Sequence, residues 1–140
     1  TRGMGNMVGC LGEICVEKLL PHSKYVGNAV YSHDFVYKNK GIEVKSKSCT
    51  SVPLPHYMAS LNLKKGDHPD NDIYVFTRVR KDLIKAWVVG WYPTTKLLKK
   101  TKFREKGYTF KDGFVTKVSG HHIPIKKLRP ATQLLRGVYK

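Results

Sequence analysis

VYSHDFVYKNKGIEVKSKS, residues 30–48, decides how the chain is read. Tyr31, His33, Phe35 and Tyr37 alternate with smaller or polar residues, the two-residue period of a strand. Lys38-Asn39-Lys40-Gly41 is a turn ending on glycine, and Ile42-Glu43-Val44-Lys45 resumes the alternation, so the stretch predicts a β-hairpin. Upstream, residues 6–20 predict a helix with an apolar stripe of Met7, Cys10, Leu11, Ile14 and Leu19, stopped by Pro21. Glu13 and Glu17 lie four apart on one face of it.

Downstream, residues 48–71 read as an irregular connection broken by Pro53 and Pro55, with a short element around residues 57–63. Residues 72–77 (DIYVFT) and 86–91 (AWVVGW) are near-continuous apolar strands, expected at a sheet centre. Residues 94–102 predict a short, very basic helix after Pro93. A second hairpin is expected over YTFKDGFVTKV, with its turn at Lys111-Asp112-Gly113. A short apolar piece at residues 122–125 and a helix near residues 131–135 end the chain. The order predicts an α/β (α+β) fold: a single domain over residues 1–140 with a central mixed β-sheet flanked by helices. Its core would span about residues 6–92, and a basic hairpin and helix would fill 94–140.

Composition narrows the partners. Twenty-six Lys and Arg against ten Asp and Glu give a net charge of +16. Self-repulsion on that scale opposes a compact state, so a polyanionic partner is the natural explanation. Phosphate backbones suit it, because each neutralised phosphate releases counterions. The basic residues are spread along the chain rather than gathered on one amphipathic segment, which disfavours a membrane surface. Cys10, Cys15 and Cys49 are odd in number and lack CxxC pairing, so neither a disulfide framework nor a zinc site is indicated. With no membrane-length apolar run or secretory signal, the expected setting is intracellular (cytoplasm, nucleoid or nucleus) and not secreted. No GxxxxGK[ST] or GxGxxG occurs, which leaves nucleotide hydrolysis without support.

Most of the ten carboxylates fall where acidic residues are ordinary. Asp67, Asp70, Asp82, Glu105 and Asp112 lie in loops, turns or element ends, and Asp72 heads a strand as a cap or amide acceptor. Glu43-Val44-Lys45 is the only (Asp/Glu)-x-Lys triplet. On a strand Glu43 and Lys45 share a face, with Asp34 across the hairpin. Two carboxylates are the hard ligands that Mg2+ requires alongside substrate phosphate, and a neighbouring lysine can orient or activate the attacking water. The same residues also describe an edge strand with one wet face. Glu13 alone reads as a solvated helix charge. The succession of helix Glu, hairpin Asp and Glu-x-Lys in a strongly basic chain favours the catalytic reading.

That succession, carried by GCLGEICVEKLL (residues 9–20) and DFVYKNKGIEVKSKS (34–48), resembles the PD-(D/E)XK nuclease superfamily of restriction enzymes, Holliday-junction resolvases and some homing endonucleases. The resemblance covers about the first two-thirds of the chain. It implies a restriction-endonuclease-like core and a Mg2+-dependent DNA endonuclease leaving 5′-phosphates, with Mn2+ as a substitute. Glu13 would take the helix-borne acidic position, with water between it and the metal. Asp34 and Glu43 would be metal ligands, Lys45 the catalytic lysine, and the Val44 carbonyl part of the metal sphere. His33 stands where the family name advertises proline.

DNA, double-stranded or branched, would be held by Lys38, Lys40, Lys47, Ser46 and Ser48 near the site, and by Lys96, Lys99, Lys100, Lys102 and Arg104. The connection near residues 57–62 is a candidate for groove contacts. A dimeric Holliday-junction resolvase is the nearest alternative, since cutting both strands needs two sites. A non-catalytic basic nucleic-acid-binding module is the alternative of another class. His121 and His122 point apart on an extended chain, are poor joint ligands, and are expected at the surface.

Overall fold

In the computed structural model, which describes residues 4–27 and 33–136, the expected hairpin is the hinge of the architecture. Helix α1 (Met4–Leu19) leads through a two-residue strand, β1 (Lys24–Tyr25), to β2 (Phe35–Tyr37) and β3 (Lys40–Cys49). Lys38 and Asn39 between them have φ of 49° and 64°, the paired left-handed conformation that suits a tight two-residue hairpin. The hairpin reading of Val30, Tyr31 and Ser32 lies outside the described residues.

The chain continues through β4 (Met58–Leu61), β5 (Ile73–Arg80), β6 (Ala86–Pro93), α2 (Thr94–Lys100), β7 (Lys102–Arg104), β8 (Gly120–Pro124) and α3 (Thr132–Leu135). A five-stranded mixed sheet has the order β1-β2-β3-β5-β6, parallel only between β3 and β5. A three-stranded antiparallel sheet, β4-β8-β7, covers one of its faces. Tyr74, Phe76 and Tyr92 of the large sheet pack there against Ala59, Leu61 and Ile123. On the other face Val16 and Leu20 pack against Ile42, Val44, Ile73 and Val75. Full burial of such a side chain stabilises by roughly 1.5–3 kcal/mol.

Three expectations change. The buried stripe of α1 is Val8, Gly12 and Val16, continued by Leu20, whereas Met7, Cys10 and Ile14 are exposed. Apolar residues on both sides of the helix left two stripes open, and close approach chose between them. A Cβ on Gly12 would collide with the Ser46 and Thr77 hydroxyls, so the small residue faces the sheet and the large ones face out. Second, β6 is an edge rather than a central strand. Its outer side is closed by reciprocal backbone bonds between Trp91 and Arg129 (3.0 and 3.1 Å), which accounts for its apolar sequence. Third, the hairpin at residues 108–118 is reduced to one bridge, Thr109 to Val115, while β7 and β8 on either side of it pair with each other in the second sheet. Among the described residues no helix is long and apolar enough to cross a membrane.

Candidate active site

The site forms where β2 stops and β3 continues. The last ladder bond runs from the Asp34 amide to the Ile42 carbonyl (2.8 Å). Beyond it the Val44 amide finds the Asp34 side chain instead, donating to Oδ2 at 2.9 Å. Strand alternation turns the Val44 carbonyl to the same side as its amide, away from β5. Asp34 is thereby fixed at an open strand edge.

Glu43, next along β3, lies close enough to Asp34 for that side chain to act on its titration. Burial, followed by the Asp34 hydrogen bond and charge, pushes the Glu43 carboxyl up to about 8, while Lys45 pulls it down. Lys45 Nζ stands 3.6 Å from Glu43 Oε2, and its side chain is 44 % exposed against 20 % for Glu43. Glu13 arrives from α1: burial first, then the Asp34 charge, raises its carboxyl, and a hydrogen bond with the Tyr25 phenol opposes the rise. The structure thus brings Glu13, Asp34, Glu43 and Lys45 into one electrostatic unit.

Two phenols complete that unit, and neither carries a signal in the sequence. Tyr25 is raised first by the Glu13 charge, and its ring meets Phe35 edge-on at 5.4 Å. Tyr74, paired with Glu43 across β3 and β5, is pushed up to about 12 by burial and then by Glu43. The His33 ring lies against Gly41, where an added Cβ would come within 2.9 Å of Nδ1. Among the described residues no group of three or more His, Cys, Asp or Glu side chains is placed to hold a metal ion. One Asp34 oxygen already accepts the Val44 amide.

Five of the seven remaining acids have structural duties. Asp72 Oδ2 accepts the Gly41 amide at 2.8 Å, tying the start of β3 to β5. Asp67, Asp82 and Asp112 each accept a nearby backbone amide in a turn, and Glu105 accepts from Ser119.

The expected DNA-binding residues separate into groups. Lys38 and Lys40 stand at the closed end of the hairpin, and alternation turns Lys40 to the face opposite Glu43. Ser46 bonds Thr77 at 2.6 Å beneath Gly12, so its hydroxyl belongs to the helix–sheet contact. Ser48 is exposed beside Lys47. Lys96, Lys99 and Lys100 cover the outer side of α2, whose Leu97 is fully buried, and Lys102 is exposed on β7. Arg104 is half-buried over the Tyr108 ring at 4.4 Å.

Lys47 lies on the same face of β3 as Glu43 and Lys45, directly opposite Arg78 of β5. Burial, then the Arg78 charge, lowers the Lys47 ammonium to about 8. His122 is buried at 6 % exposure, which corrects its expected surface position: β8 pairs with both β4 and β7 and turns this side chain inward. Burial, followed by the charges of Lys47, His121 and Arg104, pushes it down to about 4. Arg78, Ser60 and His122 carry no local sequence signal, because parallel pairing and the second sheet bring them to Lys47. No protein-family model matches the chain, and no curated protein gives a significant match.

Proposed function

We propose that the chain is a Mg2+-dependent endodeoxyribonuclease acting on double-stranded or branched DNA, with Mn2+ able to substitute. The observation that carries this reading is the Asp34–Glu43 pair: two neighbouring carboxyls at an open strand edge, beside Lys45, in a chain of net charge +16. Two acids so placed repel once both ionise, and a divalent cation relieves that repulsion.

The donor set suits a hard cation. Asp34 and Glu43 would hold it with the Val44 carbonyl, and Glu13 would reach it through water. When bound, such an ion supplies charge stabilisation at phosphorus and a more acidic water. Lys45, exposed and 3.6 Å from Glu43, orients the attacking water and offsets charge on the phosphate oxygens. The oxygen of water forms its bond to phosphorus as the bond to the 3′ oxygen breaks, and that oxygen leaves protonated. The 5′-phosphate product follows the resemblance to PD-(D/E)XK nucleases.

The test is incubation with plasmid, linear and four-way-junction DNA, with Mg2+ or EDTA. Metal-dependent cleavage that disappears in Asp34→Ala and Glu43→Ala supports the reading. Symmetric cutting of junctions in preference to duplex identifies the resolvase alternative. Binding without cleavage, indifferent to loss of either acid, leaves the non-catalytic module.

A further inference from the structure

A cleft of about 470 Å3 opens beside the candidate site on the same face of β3, within the range of small-molecule pockets. Lys47 and Arg78 reach into it from facing positions of β3 and β5. Lys47 follows Lys45 by two residues, roughly 7 Å along the strand.

Among the described residues, neither cation has a carboxylate partner. Lys47 Nζ donates to Ser60 Oγ at 2.8 Å and stands 5.0 Å from the Phe114 ring centre. Arg78 Nη2 donates to the Met58 carbonyl at 2.6 Å and lies over the Tyr57 ring at 5.5 Å. Asp112 also lines the cleft, but its carboxylate accepts the Phe114 amide and pairs with His56 at 3.5 Å. No described acid therefore offsets the burial that lowers Lys47 and Arg78; the groups raising Arg78 are Cys49 and Tyr57.

The polar wall is self-consistent. Ser60 Oγ accepts from Lys47 and lies 2.8 Å from His122 Nδ1, so its own proton is free to go to that nitrogen. A neutral His122 then carries its proton on Nε2, which is buried without a partner among the described residues. Partly buried cations held by neutral acceptors and ring faces lose hydration and gain no counter-charge. An anion entering the cleft supplies one.

We infer that this cleft holds a phosphate group of the substrate strand, clamped between Lys47 and Arg78 one step along from the bond that is cut. The inference rests on the proposed nuclease reading for its choice of substrate, and it gives that reading a second anchoring point. An end phosphate and an internal phosphodiester share the necessary chemistry.

The experiment measures binding in EDTA, where cleavage plays no part. Short single-stranded oligonucleotides carrying a 5′-phosphate or a 5′-hydroxyl are titrated with wild type, Lys47→Met, Arg78→Met and the charge-matched surface control Lys85→Met. Lys47→Met and Arg78→Met are each expected to weaken binding about tenfold. Each should flatten the salt dependence by roughly 0.7 for every phosphate it no longer neutralises, with little change in Lys85→Met. A tenfold preference for the 5′-phosphate assigns the pocket to strand ends, whereas equal affinity assigns it to internal phosphates. In wild-type protein the His122 ring resonances should shift on titration, a readout that needs no folded variant. Folded Lys47→Met and Arg78→Met proteins that bind like Lys85→Met overturn the inference, as does an unmoved His122. Loss of binding in these variants alongside absent Mg2+-dependent cleavage by the wild-type protein overturns the nuclease reading alone.

Discussion

Asp34 Oδ2 accepts the Val44 amide at 2.9 Å, a side chain completing the ladder that β2 abandons. That bond holds Asp34 beside Glu43, where the two charges repel once both acids ionise, and Glu43 keeps its proton up to about pH 8.

Glu43→Gln keeps the shape and hydrogen-bonding capacity of the side chain but removes the repulsion. Cleavage should fall by at least about a thousandfold, because an anionic oxygen is lost from the ion-binding pair. Stability at pH 8 should rise by about 1 kcal/mol, or roughly 3–5 °C in Tm. Plasmid cleavage and thermal melting in EDTA check both halves.

The pH dependence has a definite sign. The folded-state value for Glu43, about 8, lies above the ordinary 4.5, so folding favours the protonated acid. That contribution is fully present below pH 4.5 and is lost as pH rises toward 8. The stability advantage of Glu43→Gln should therefore vanish near pH 4 and be largest above pH 8. Mg2+ affinity should increase over the same interval, because the Glu43 proton must leave first. Melting curves and calorimetric titrations across pH read the two trends separately.

Lys45→Ala should lower the cleavage rate by about a hundredfold or more while leaving DNA affinity in EDTA within about twofold. Its side chain is 44 % exposed, so its removal opens no cavity in the core. Single-turnover rates at saturating protein separate this effect from binding.

Replacing Lys96, Lys99 and Lys100 together with glutamine should reduce the salt slope of duplex binding by up to about 2.7, at roughly 0.9 for each phosphate left unneutralised. All three project from the solvent side of α2, so Tm should change little. Affinity measured over a series of salt concentrations gives the slope.

Gly12→Ala should destabilise the fold by about 1–3 kcal/mol, despite the better helix propensity of alanine. The added methyl would meet the Ser46 and Thr77 hydroxyls, which are themselves bonded at 2.6 Å. Denaturant unfolding with an unchanged slope and a lower midpoint is the expected signature.

Local relationships are legible in the sequence. The hairpin from Phe35 to Lys45, the shared face of Glu43 and Lys45, and the position of Asp34 all follow from a two-residue period across a short turn. Asp72 as an amide acceptor is equally readable. Helix α1 is readable too, but its buried side is not, because hydrophobic periodicity ranks Met7 and Ile14 above Gly12 and knows nothing of close approach. Tyr25 gives no signal because β1 has only two residues, too few to show a period. Arg78, Ser60 and His122 converge only through the parallel β3–β5 pairing and the second sheet, which bring together positions far apart in the chain.

The spacing of these residues along the chain also orders events during folding. Asp34 and Val44 are ten residues apart within one hairpin, a type of element that closes in about 1–10 µs. Lys47 meets Arg78 only after parallel strands have joined across the intervening connection, a slower event because a longer loop must close. A chain caught between these stages has its acidic corner but not the basic wall beside it, so it is equipped to attract a cation before it can grip a polyanion.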